Sequence, residues 1–205
     1  MENTTKETIL TQAGKLFAKN GFSGTSIREI SRLSNVNVSA VNYHFKSKEN
    51  LFHFVIKNYY DSISLKINKL SEREKTLEEF SVDVFRLFIQ ESDMILCNFK
   101  MYLSEEITSE NKYLLTDQET FGPPGMDSFI KITKNNYPFL PEGQIFFICR
   151  NIFSIICHSA ISYVSPILNP KLKKHPLFNK KAMEENIIRL TKTLVSNLEN
   201  QSQTQ

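Results

Sequence analysis

The sequence predicts an all-α protein of about nine helices, three short ones followed by a set of longer ones. Three observations carry this prediction. Apolar residues recur at three- and four-residue steps almost throughout, Ser/Thr-x-x-Glu capping boxes precede several of these stripes, and the alternation of a β-strand is almost absent. With 205 residues and 40% of them hydrophobic, the chain can fill one large domain or two smaller ones sharing a core.

Thr4-x-x-Glu7 is the first capping box, and Ile9, Leu10, Ala13, Leu16 and Phe17 follow as one stripe that Asn20-Gly21 ends. Ser26-x-x-Glu29 opens a second, short helix with Ile27, Ile30 and Leu33 inward. Ser34-Asn35 breaks it, because Asn tolerates the left-handed conformation of a turn. Asn37 or Ser39 caps a third short helix ending at Phe45. Ser47 caps a long fourth one striped by Leu51, Phe52, Val55, Ile56, Tyr59, Ile63 and Leu70. Thr76-x-x-Glu79 starts a helix to about Glu91, and another covers roughly Met94 to Ile107. A polar run from Thr108 to Glu119 and the cluster Gly122-Pro123-Pro124-Gly125 predict a mobile loop. Helices then follow at about 126–135, 142–165 and 180–199, with a loop from Pro166 to Pro176 and a disordered tail from Gln201 to Gln205. Ile187, Leu190, Leu194 and Leu198 form the stripe of the last helix.

Charge is unevenly placed. Residues 1–50 hold seven Lys/Arg against four Asp/Glu, an excess of three, whereas the remaining residues carry eighteen of each sign. The whole net charge of +3 therefore lies in the first quarter, where a polyanion can use it. Met1 to Lys6 is polar and no cleavable apolar segment follows, so no secretory leader is expected. The apolar stretch from Ile145 to Val164 is interrupted by Arg150, Asn151 and His158, and reads as a buried helix, not a membrane span. Cys97, Cys149 and Cys157 lie in apolar runs and read as reduced core thiols of a cytoplasmic protein, a metal or disulfide role being the alternative.

Three short helices, the last two joined by a tight turn, form the helix-turn-helix pattern, whose second element enters the major groove of DNA. The residues sharpen the pattern. Ile9-Leu10-x-x-Ala13-x-x-Leu16-Phe17, Gly21-Phe22-x-x-Thr25-Ser26-Ile27-Arg28-x-Ile30, and Val36-Asn37-x-Ser39-Ala40-Val41-Asn42-Tyr43-His44-Phe45-x-Ser47-Lys48-Glu49-x-Leu51 resemble the DNA-binding domain of the TetR family over about the first 52 residues. The resemblance implies residues 1–50 as a DNA-binding domain and 51–200 as a helical ligand-binding and dimerisation domain. The implied function is a cytoplasmic, ligand-responsive repressor that binds a palindromic operator as a homodimer and needs no cofactor.

Chemistry assigns roles within that frame. Thr25 and Ser26 open the second helix, whose free N–H groups suit a phosphate, and Arg28 reaches a phosphate or a guanine edge. Asn37, Ser39, Ala40, Asn42, Tyr43 and His44 lie on or beside the third helix, with Val41 and Phe45 inward. The resemblance implies that the exposed residues of the third helix contact bases and backbone and that Lys48 contacts phosphate; Asn42 is expected on a base edge and Tyr43 and His44 on the backbone. Asn42 stands where many family members have Tyr, and Asn pairs bidentately with adenine, so no relative's operator can be carried over. As alternatives, His44 caps a helix end and Tyr43 is partly core.

For the second domain the resemblance places an effector among the middle helices and dimerisation in 142–165 and 180–199. Phe88, Phe99, Tyr102, Phe129, Phe147, Arg150 and His158 are the candidate contacts of an apolar or aromatic effector. The competing reading makes the aromatic residues ordinary core, pairs Arg150 with Glu105 or Glu106, and leaves His158 a satisfied core residue. Along 142–165, Ile148, Ile152, Ile155 and Tyr163 share one side and Phe146, Phe147, Arg150, Ser154, Cys157 and Ile161 the other; periodicity does not say which side meets a partner. Adjacent Cys157 and His158 point about 100° apart on a helix, which spoils a nucleophile–base pair, and no phosphate loop or metal-ligand spacing occurs. A helical enzyme and a protein-interaction module with a vestigial helix-turn-helix are the rival readings.

Overall fold

The computed structural model describes residues 2–102, 122–172 and 174–202, and every regular element among them is helical. In chain order these are α1 (Glu2–Asn20), α2 (Ile27–Leu33), α3 (Val38–Phe45), α4 (Lys48–Leu70), α5 (Leu77–Gln90), α6 (Ser92–Tyr102), α7 (Met126–Asn136), α8 (Glu142–Val164) and α9 (Lys180–Ser202). A one-turn helix at Asn169–Leu172 and a 3-10 turn at Pro176–Phe178 punctuate the connection between α8 and α9, where the sequence predicts only loop.

Two boundaries move. α1 has already begun at Glu2, so Thr4 is an interior residue whose carbonyl accepts from Thr8 Oγ1 at 2.8 Å. α9 runs through Gln201 and Ser202, which the sequence assigns to the tail. Most of the predicted mobile loop, with Glu105 and Glu106, lies outside the described residues.

Of the described residues, 2–62 and 93–102 form one compact unit and the others a second. In the first unit Ile9, Leu10, Ala13, Leu16 and Phe17 of α1 meet Ile30, Val41, Phe45 and the Leu51, Phe52, Val55, Ile56 face of α4, with Met101 of α6 added. Phe17, Phe22 and Phe52 form a ring triad with centroids 5.0–6.0 Å apart. Gly14 keeps α1 close to α4, since a Cβ there would stand 2.0 Å from the Tyr59 hydroxyl. Burial pushes the pKa of that hydroxyl up to about 12.

In the second unit α8 packs on α5, α7 and α9. Phe129 lies 4.8 Å from Phe80 and 6.1 Å from Phe153, and Phe88 lies 5.8 Å from Phe153, each pair edge to face. The inner arc of α8 is Ile145, Ile148, Cys149, Ile152, Ile156, Ser159 and Ala160. By length and composition α8 could cross a membrane, yet this arc is sealed inside the protein. The buried seam of α9 is Met183, Ile187, Thr191 and Val195, while Leu190 and Leu194, expected on that stripe, sit half-buried on its flank. All three cysteines are unbridged, and burial pushes the pKa of Cys149 up to about 11 and that of Cys157 up to about 12, so both are neutral thiols at pH 7.

The end of α4 is joined to the start of α7 by close packing. Gly125 takes φ +79°, and a Cβ there would lie 2.5 Å from Ile67 Cγ2. Beside it Ser128 Oγ donates to Asn68 Oδ1 at 2.7 Å, and Ser71 Oγ donates to the Asn68 carbonyl at 2.7 Å. Gly125→Ala is expected to destabilise the protein by about 2–4 kcal/mol, through the left-handed backbone and the overlap together. Urea unfolding measures this, and a change under about 0.5 kcal/mol, the range of ordinary surface substitutions, would refute the packing account.

Candidate nucleic-acid interface

α2 and α3 owe their mutual placement to the turn between them. The N–H of Ser34 donates to Ile30 O at 2.9 Å, Asn35 takes φ +54°, and the Val36 N–H reaches back to Ser31 O at 3.0 Å. Asn35 thus fills the left-handed position for which its short polar side chain is suited. The inward arc of α2 is Ile27, Ile30, Ser31 and Ser34. Leu33, expected inward, is 42% exposed, because it lies about 60° round the helix from Ile30 and on the far side from Ser31.

Asn37 is the N-cap of α3: its Oδ1 accepts the Ala40 N–H at 2.7 Å and the Ser39 hydroxyl as well. Val41 and Phe45 are buried. Lys46 ends the helix at φ +67° and its ammonium lies 5.6 Å over the Tyr43 ring. The outward arc of α3 is therefore Val38, Ser39, Asn42, Tyr43 and Lys46, with Ala40 and His44 half-buried at its edge. Tyr43 is 66% exposed, which rules out its reading as core.

The other predicted contacts divide. Ser26 is exposed and caps α2 by accepting the Glu29 N–H at 3.1 Å, which leaves its hydroxyl proton free to donate. Arg28 is exposed one turn further on. Thr25 differs from expectation: it is 2% exposed and its hydroxyl donates to Gly21 O at 2.7 Å, so it builds the turn and is not presented at the surface. Lys48 differs too. Its ammonium donates to the carbonyls of Phe22 at 3.0 Å and Thr25 at 3.1 Å and lies 4.2 Å over the Phe22 ring. It ties the turn before α2 to the start of α4, and two of its three N–H groups are spent there. Lys48→Met is expected to cost about 2 kcal/mol of stability, since two carbonyls lose charge-assisted bonds while the apolar stem is kept. A denaturation midpoint unchanged from the wild type would contradict that role.

Val38, Arg32 and Lys46, which the sequence reading did not single out, also face outward. The signal lay in the choice of cap: with Asn37 as cap, Val38 is the first helical residue and shares an arc with Asn42.

Within the second unit the effector candidates fall into two groups. Phe88 and Phe129 are fully buried and packed ring to ring through Phe153, in keeping with the core reading. Phe147, Arg150 and His158 sit on the outer arc of α8 with Phe146 and Ser154, so Arg150 needs no partner within the chain. Phe99 is half-buried on α6 in the first unit, and the side chain of Tyr102 lies outside the described residues. One polar cleft among the described residues of the second unit lies elsewhere: about 750 Å³, lined by residues 71–76 with Glu79, Lys131, Asn135 and Asn136 among others.

Residues 9–55 match the family of bacterial regulatory proteins named for TetR, a family of transcriptional regulators and not of enzymes. The chain is 41% identical over 64 residues to the Probable HTH-type transcriptional regulator YttP of Bacillus subtilis, covering 31% of each chain. It is 32% identical over 95 residues to the HTH-type transcriptional repressor NicS of Pseudomonas putida, covering 44% of this chain and 45% of that one. The chain thus spans less than half the length of these curated relatives. Among solved structures, the fold resembles the transcriptional regulator FadR of Bacillus subtilis in complex with stearoyl-CoA, at 13% identity, with a TM-score of 0.66 over 90% of this chain and 96% of that one.

Proposed function

We propose, from the match of residues 9–55 to the TetR family and from a helical fold like that of such regulators, that the chain is a ligand-responsive transcriptional repressor with its DNA-binding domain at the N-terminus. It binds a palindromic operator as a homodimer and leaves it when a small molecule binds. The observation that carries this reading is the outward arc of α3, where Asn42 and Tyr43 stand exposed above a rigidly capped helix. Base edges are read by Asn42, and Ser26, Arg28, Ser39, Ala40, Tyr43, His44 and Lys46 contact backbone and neighbouring edges. The excess positive charge of the first fifty residues supplies the salt-dependent part of the affinity.

The outer arcs of α8 and α9 form the dimer contact. What supports this is the exposed pair Phe146 and Phe147 on the same arc as Arg150, Ser154 and His158, a mixed apolar and polar face. The effector is an apolar or aromatic small molecule held among the Phe-rich helices of residues 51–200, preferring the conformation that cannot hold DNA. FadR, of like fold, was crystallised with stearoyl-CoA, an anionic amphiphile whose acyl chain is apolar. The protein is cytoplasmic on this reading.

Gel shifts with the DNA upstream of the chain's own gene test the proposal. A retarded band at moderate salt that competes with specific but not scrambled duplex is the expected result. Equal competition by both would sink it.

A further inference from the structure

The outward arc of α3 contains one aliphatic side chain. Val38 is 37% exposed, stands at the first helical position, and lies about 40° round the helix from Asn42 at 100° per residue. The polar residues beside it are already engaged: Asn37 Oδ1 holds the Ala40 N–H, and the Ser39 hydroxyl donates to the same oxygen. The Asn42 side chain makes no hydrogen bond among the described residues, so both its donor and its acceptor are free. The surface nearest a base edge is thus an amide and, one turn before it, a pair of methyl groups.

Resting on the DNA-binding reading above, we propose that Val38 and Asn42 read a short A·T-containing step as a unit. Asn42 pairs with the N6/N7 edge of an adenine, and Val38 packs on the 5-methyl group of a thymine one or two base pairs away. Side chains four residues apart on a helix are separated by about 5–6 Å. Successive bases of one strand are about 3.4 Å apart, so the pair spans one to two steps. In the major groove only thymine carries a methyl group, and only adenine offers the N7 acceptor beside the N6 donor that a carboxamide matches. A lone exposed valine is ordinary on a protein surface. This one shares its arc with a free carboxamide on the helix that enters the groove, and there a methyl contact is the chemistry it can supply.

The test uses the purified full chain and a duplex pool randomised over roughly two helical turns. Selection is run for the wild type, Val38→Ala and Asn42→Ala, and the enriched duplex is then remade with deoxyuridine in place of each thymine in turn. One thymine in each half-site is expected to matter: losing its methyl group weakens wild-type binding about fourfold and leaves Val38→Ala unaffected. Asn42→Ala is expected to lose the preference for adenine within two positions of that thymine. The inference is overturned if deoxyuridine costs the wild type nothing anywhere, or costs Val38→Ala as much. A pool that enriches no sequence overturns the DNA-recognition reading itself, and this inference with it.

Discussion

Asn42→Ala is expected to fold normally and to lose about two to four orders of magnitude in affinity for its operator. The side chain is exposed and makes no hydrogen bond within the described residues, so truncation leaves no buried group unpaired. A bidentate base contact contributes about 1–3 kcal/mol of discrimination, and a palindrome presents it twice. Because Asn42 is neutral, the slope of log affinity against log salt is expected to stay unchanged. Lys46→Gln should instead make it shallower by about one for each phosphate that the ammonium no longer neutralises. Fluorescence anisotropy at several salt concentrations measures both. A fall in slope for Asn42→Ala, or no loss of affinity, would assign base reading to another residue.

The second large effect is on stability. Phe129→Ala is expected to destabilise the protein by about 3–5 kcal/mol, the range for removing a fully buried ring. Phe129 is 0% exposed and touches Phe80 and Phe153 edge to face, so its loss opens a void that rigid helices cannot close. This variant also separates the two readings of the Phe-rich core. A packing residue shows the stability loss with unaltered operator affinity per folded molecule. A ligand contact with spare room around it shows a small loss of stability and a large change in effector response. Chemical denaturation with an operator titration of the same sample distinguishes them.

The helices were legible because a stripe of apolar residues and its caps are local signals. Thr76 and Glu79 form the full reciprocal capping box, and Asn35 takes the left-handed turn position that its residue type favours. Errors arose where a neighbour outside the local window decides. Leu33 belongs to the stripe by hydrophobicity, yet α2 lies on its neighbours along an arc of small serines, Ser31 and Ser34, which permit close approach. Thr25 is a different case: it has the residue type of a helix-opening phosphate ligand, but the Gly21 carbonyl only four residues earlier holds its hydroxyl, a local contact that residue type alone does not reveal.

Lys48 shows the limit of the local window. No local pattern predicts that carbonyls 23 and 26 residues earlier will capture its ammonium. On α8 the periodicity separates two faces without ranking them, because both carry large apolar residues; burial then assigns the Ile148 and Ile152 side inward. Arg150 and His158 follow from that assignment: on the outer face they need no partner in the chain, and their role passes to whatever covers it.

Hydroxyl-radical footprinting of the purified protein on its selected operator tests the central claim most directly, namely that paired α3 helices read a palindrome. Two protected patches on one face of the DNA, with centres one helical turn or a whole multiple of turns apart, are the predicted result. A single patch, or protection spread evenly along the duplex at the same protein concentration, would contradict it.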